Sequence, residues 1–198
     1  MATADLFCYV RLKGYRPECH QLYMAVRNTI DSKIVWGIFE GVFGIGSHEL
    51  VVVLVGSEDR LKKTVQTIGE IDEVADLRSM NLIPTSRPQS SSPMTRAGIY
   101  VFRFLEVDNV NIETIIDLST RGWEFFERAD YYEANSLALF KQHKVSSDTS
   151  VMLIVTRYDN LASWEASRDS PPRAKELFAR RRELTKGQTP LATRILTD

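Results

Sequence analysis

Three observations predict an α+β chain in which one βαββαβ unit is written twice. Val51-Val52-Val53-Leu54-Val55, followed by Ser57-Glu58-Asp59-Arg60-Leu61, recurs one hundred positions on as Val151-Met152-Leu153-Ile154-Val155, followed by Arg157-Tyr158-Asp159-Asn160-Leu161. Phe7-Cys8-Tyr9-Val10-Arg11-Leu12 matches Ile99-Tyr100-Val101-Phe102-Arg103-Phe104 without a gap. Between the copies lies a stretch rich in proline and serine, from Pro84 to Pro93. An internal duplication constrains the fold before any motif is considered.

Each copy reads in the same order. Leu6 to Leu12 alternates as a strand, and Glu18 to Ile30 places Leu22, Val26 and Ile30 four apart, as an amphipathic helix does. Val35 to Phe43 is strand-like despite Gly37 and Gly41, which require something to pack closely there. Gly44-Ile45-Gly46-Ser47 is a turn and Glu49 to Val55 a buried strand. Ser57 offers an N-cap for a helix over Glu58 to Ile71, and Leu77 to Ile83 closes the first copy. Three prolines among the serines of 84–93 favour a linker. The boundaries expected are 1–84, a linker over 85–97, and 98–198. The second copy predicts strand 99–105, helix 112–128, strands 133–140 and 151–157, and helix 161–168. A break at Pro171-Pro172, helix 173–184 and strand 191–196 complete it. Both copies are therefore ferredoxin-like, with helices on one sheet face and a bare second face that must be covered.

Composition narrows the classes. Lys plus Arg total 25 against 26 for Asp plus Glu. No bulk positive charge argues for a nucleic-acid or anionic-membrane partner. Arg180-Arg181-Arg182 is balanced by Glu176 and Glu183 and reads as a solvated helix face. The two cysteines, Cys8 and Cys19, make neither a disulfide framework nor a zinc site. No run approaches the roughly 20 apolar residues of a membrane span, and no signal peptide opens the chain. A cytoplasmic protein is the expectation.

Several motifs of the second copy carry a resemblance. They are Gly122-Trp123-Glu124-Phe125-Phe126, Leu137-Ala138-Leu139-Phe140, the run Met152 to Glu165, the Pro171-Pro172 break and the Arg-rich final helix. Together, over roughly residues 98 to 196, they resemble the NIPSNAP branch of the dimeric α/β-barrel superfamily. That resemblance implies two four-stranded sheets packed face to face around a cavity, as an intramolecular pseudo-dimer or a homodimer. Relatives include cofactor-independent monooxygenases of polyketide aromatics, cyclases, isomerases, haem-binding enzymes and members without known activity. The chain departs from the NIPSNAP pattern at Lys141-Gln142-His143-Lys144.

Reading the copies against each other gives the candidate site. Cys8, Val10 and Leu12 pair with Tyr100, Phe102 and Phe104, an apolar face expected beneath the helices. Tyr9, Arg11 and Arg103 then fall on the opposite face. A buried arginine there needs a carboxylate or an anionic ligand. Aligning Phe43 with Phe140 places Trp36, Ile38 and Glu40 with Glu133, Asn135 and Leu137 on a mixed polar face. The expected catalytic residues are Arg103, Tyr9 and Arg11. Trp36, Glu40, Glu133, Asn135 and His143 are expected to bind a small apolar or aromatic substrate. The competing reading is an internal lattice in which Arg11 pairs with Glu40 or Glu133. Trp123 and Trp164 are read as helix residues packed on the sheet. No histidine has a partner at metal-ligand spacing, no Gly-rich loop precedes a helix, and no nucleophile elbow is present. A haem would need one of His48 and His143 inside the pocket as its axial ligand, with His143 the better candidate. Three function classes follow: a cofactor-free oxygenase, cyclase or isomerase; a binder of a small apolar acid; and a protein-interaction module.

Overall fold

The computed structural model describes residues 6–145 and 147–197. Thirteen principal elements run in the order β1 (Leu6–Gly14), α1 (His20–Thr29), β2 (Val35–Phe43), β3 (Glu49–Gly56), α2 (Glu58–Gly69) and β4 (Val74–Arg87). Then come β5 (Ile99–Asp108), α3 (Ile112–Phe126), β6 (Ala134–Gln142), β7 (Thr149–Tyr158), α4 (Leu161–Ala166), α5 (Pro172–Glu183) and β8 (Thr185–Ile195). The order is the predicted one. No helix of the described residues is long and apolar enough to cross a membrane.

The chain divides into two compact units. The first comprises 1–83, 90–97 and 191–198; the second comprises 84–89 and 98–190. This differs from boundaries at 84 and 98. The expected linker begins as strand, because β4 continues through Pro84 to Arg87. Proline is tolerated where its missing N–H breaks no ladder bond. Residues 90–97 return to the first unit, where the Met94 amide donates to the Trp36 carbonyl at 2.7 Å. The last strand starts six residues before the expected Leu191, at Thr185, directly after α5.

In the first unit the sheet order is β4-β1-β3-β2-β8, antiparallel throughout. Cys8, Val10 and Leu12 of β1 and Leu50, Val52 and Leu54 of β3 meet Leu22 and Val26 of α1 and Leu61 and Ile68 of α2. Alternation thus puts the expected β1 face beneath the helices. Every residue from Leu50 to Val55 is buried, as a continuous apolar run in a central strand requires.

In the second unit the order is β8-β5-β7-β6-β4. Helices α3 and α5 pack against one another, and Gly122 is what lets them. A methyl group at Gly122 would overlap the Phe178 ring. Asn160 caps α4 by accepting the Ser163 amide at 2.8 Å, and Pro172 opens α5 at its first turn.

Here the second copy departs from the gapless match. Cys8 pairs with Leu54, and Arg103 pairs with Ile154. Leu54 and Ile154 are one repeat apart, so Arg103 is the counterpart of Cys8, and Glu106, opposite Val151, is the counterpart of Arg11. The gapless match is three residues out. An odd slip sends every side chain to the other face. Val101, Arg103 and Leu105 therefore take the helix side of β5, and Tyr100, Phe102 and Phe104 do not. No arginine recurs at one mid-strand place.

Candidate functional site

A cavity of about 530 Å³ lies within the second unit, between its sheet and its helices. Its floor is Arg103, Ile154, Thr156, Tyr158 and Ser136, from three adjacent strands. A β-bulge between Ser136 and Ala138 turns Ser136 inward. Trp123 and Phe126 of α3 and Phe178 of α5 form aromatic walls. Trp164 of α4 and Arg168, just beyond it, border the remaining side with Arg182.

The wall is braced from β4. The Arg87 guanidinium stacks 5.1 Å from the Trp123 ring centroid. It donates to Glu127 at 2.7 and 3.0 Å and to the Ser136 carbonyl at 2.5 Å. Glu127 in turn accepts the Ser136 amide at 2.6 Å. Arg87 thus ties the bulge to the tryptophan. Sequence reasoning missed it by assigning Arg87 to a linker; Pro84 and Pro88 hid the continuation of β4, and no apolar alternation past Ile83 signalled it.

The electrostatics are one-sided. Arg103, Arg168, Arg181 and Arg182 all line the cavity, and none has a described carboxylate within ion-pair distance. Arg181 is only 8% exposed. Its guanidinium reaches the Ser119 hydroxyl at 3.2 Å and sits 4.7 Å from the Phe178 ring centroid. Burial, then the charges of Arg103 and Arg182, push the Arg181 pKa down to about 9, which still leaves it charged at neutral pH. Arg103 is lowered by burial as well, partly offset by the Tyr158 hydroxyl beside it. The Nε of Arg103 and the hydroxyl of Ser136 are buried without a hydrogen-bond partner. Lys175, by contrast, pairs with Asp169 at 2.5 Å.

Of the sequence candidates, only Arg103 lines this cavity. Arg11 pairs with Glu49 at 2.6 Å, so the lattice expected with Glu40 or Glu133 is made with a different carboxylate. Glu49 also accepts the Gly46 amide at 2.8 Å, closing the β2–β3 turn. Glu40 bonds instead to Arg194 and to the Cys19 thiol at 3.7 Å. Tyr9 is buried on the face of β1 away from the helices, and burial raises its pKa well above the usual phenol value. Trp36 does not share a face with Ile38 and Glu40. The register slips between Val35 and Gly37, turning Trp36 edge-on to Phe7 with centroids 5.3 Å apart while Ile38 joins the helix-side core. Glu133 and Asn135 are exposed, and Asn135 accepts from Arg157 at 3.4 Å. His143 is half-buried in the turn after β6 and is not among the cavity residues. No imidazole, thiol or thioether lines the cavity among the described residues. The histidine ligand expected for a haem does not reach this cavity.

No family model matches the sequence, and no curated protein aligns with it. Solved structures do match across the whole chain. An anthrone oxidase-like protein superimposes with a TM-score of 0.69 at 16% identity, covering 99% of this chain and 93% of that one. A chlorite dismutase from Candidatus Nitrospira defluvii gives 0.61 at 7% identity, covering 100% and 93%. A ferredoxin-fold protein related to antibiotic biosynthesis monooxygenases, from Listeria monocytogenes, gives 0.56 at 10% identity, covering 99% and 97%. The fold is therefore α+β, of the tandem ferredoxin-like, dimeric α/β-barrel class.

Proposed function

We propose that the second unit oxygenates an aromatic, polyketide-like molecule in this cavity without a metal or organic cofactor. The observation that carries the reading is the buried Arg181 and the half-buried Arg103, whose Nε is enclosed, both lining an aromatic-walled space without a described carboxylate partner. An isolated buried charge is costly, and a ligand anion offsets it.

A phenol or enol bound there is drawn toward its conjugate base. A cation about 4 Å from an oxyanion contributes roughly 4 kcal/mol at an effective dielectric of ~20, about three pKa units. No carboxylate or imidazole lines the cavity among the described residues, so the proton passes to water at the mouth. Arg103 and Tyr158 hold the oxygen, and Trp123, Phe126 and Phe178 exclude water from the ring faces. The resulting carbanion-like ring carbon is electron-rich enough to reduce dioxygen. For an anthrone the balance is C14H10O + O2 → C14H8O2 + H2O: the methylene carbon becomes a ketone, one oxygen atom enters it and the other leaves as water.

The similarity to an anthrone oxidase-like structure supports oxygenation over cyclisation or isomerisation. The NIPSNAP-like motif residues Trp123, Phe126, Thr156, Tyr158 and Trp164 all border the cavity, which supports carrying that finer kinship to the same site. Dioxygen uptake with anthrone tests the proposal. Wild type is expected to exceed the spontaneous rate, and Arg103→Gln to lose about a hundredfold of the excess, the usual loss for one oxyanion-stabilising donor. A wild-type rate equal to autoxidation would overturn the assignment.

A further inference from the structure

We infer that the substrate carries a carboxylate besides its ring oxygen, and that Arg168 and Arg182 at the cavity mouth receive it. This rests on the reading of the cavity as an aromatic-anion site and adds the chemical class of the ligand.

Charge counting comes first. Four guanidiniums, Arg103, Arg168, Arg181 and Arg182, line the cavity without a described carboxylate partner. One phenolate or enolate offsets a single charge. The cluster is also divided in depth. Arg181 and the Nε of the half-buried Arg103 are enclosed, whereas Arg168 and Arg182 are exposed. Arg103 feels the charges of both mouth residues, so all belong to one field.

Helix ends account for basic residues here, but not for four of them lining one space without a carboxylate. Basic residues in the last turn of α5 complement its carbonyl end, and Arg180 needs no other explanation. Arg168, in the short turn Ser167–Asp169 directly after α4, stands at a second carbonyl end. It converges on the same space from another element. Two guanidinium forks at an open mouth match a carboxylate, which accepts parallel N–H bonds in their plane. The enclosed pair remains for the ring oxygen, beside the unpartnered Arg103 Nε and Ser136 hydroxyl. About 530 Å³ suits a fused aromatic acid rather than a small inorganic anion.

Isothermal titration calorimetry with 1-hydroxy-2-naphthoate, 1-naphthol and inorganic phosphate tests this. The hydroxynaphthoate is expected to bind about tenfold or more tightly than naphthol. Its advantage should shrink to about twofold in the Arg168→Gln/Arg182→Gln double variant, whose exposed positions spare the core and whose melting curve checks folding. Equal affinity of naphthol and hydroxynaphthoate in wild type sinks the carboxylate inference while leaving the aromatic-cavity reading in place. Phosphate saturating the protein at lower concentration than hydroxynaphthoate overturns it too, in favour of a phosphorylated ligand. Binding of none of the three removes the cavity reading itself.

Discussion

Arg181 is held where a hydrophobic residue would be more comfortable. It is buried, lacks a carboxylate, and is repelled by Arg103 and Arg182. Replacing a buried charge by an apolar side chain of similar length relieves its desolvation. Arg181→Met is therefore expected to hold or raise the ligand-free melting temperature, with a gain on the order of 1 kcal/mol, and to abolish binding of hydroxynaphthoate. A melting temperature several degrees lower in the variant would mean that the guanidinium serves the fold, through Ser119 and Phe178, rather than a ligand. Glu49 illustrates the opposite case. Although burial alone would raise its pKa, the Arg11 and Gly46 hydrogen bonds outweigh this and hold the carboxyl below its ordinary value. A depressed carboxylate stabilises the fold above the unfolded pKa and loses that contribution as pH falls through the folded one. Acid titration of unfolding should show wild type losing stability below about pH 4.5, and Glu49→Gln should be less stable at neutrality with a flatter acid limb.

At the scale of elements, α3 and α5 meet at Gly122, and the same contact sets one aromatic wall. Gly122→Ala gains helix propensity of about 1 kcal/mol but drives its methyl into the Phe178 ring. Overpacking of that kind costs about 1–3 kcal/mol, so a small net loss is expected. The displaced ring should also narrow the cavity and weaken naphthol binding, measurable in the same calorimeter. Two bulges explain where sequence pattern failed. Alternation assigns faces only along an unbroken ladder, and the slips after Val35 and Ser136 insert one residue each. Trp36 therefore parts from Ile38, and Ser136 reaches the cavity floor while Ala138 and Phe140 turn away.

At the scale of the whole chain, the first unit depends on the last residues. Phe39, Glu40 and Gly41 pair with Ile195, Arg194 and Thr193, and the Leu196 amide donates to the Ile38 carbonyl at 2.8 Å. Ending the chain at Pro190 should accelerate hydrogen exchange of β2 amides bonded to 192–195, far more than in α3. Equal protection of β2 in both proteins would contradict the pairing.

Element order and type were legible because they rest on local properties: apolar period, capping residues and proline breaks. The hundred-residue repeat identified β3 and β7 as counterparts, since both are continuous apolar runs. What no local property specifies is register. Whether Arg103 matches Arg11 or Cys8 depends on which residue faces Ile154 across the ladder, a pairing between segments some fifty positions apart. Three residues of slip carry that guanidinium from the bare face to the helix side. The convergence of Arg103, Arg168, Arg181 and Arg182 is likewise invisible in a chain with a formal net charge of -1. Amino-acid order determined the units and their helices. Only strand pairing and helix packing decided which charges share a space, because proximity across the fold is set by ladder register and not by distance along the chain.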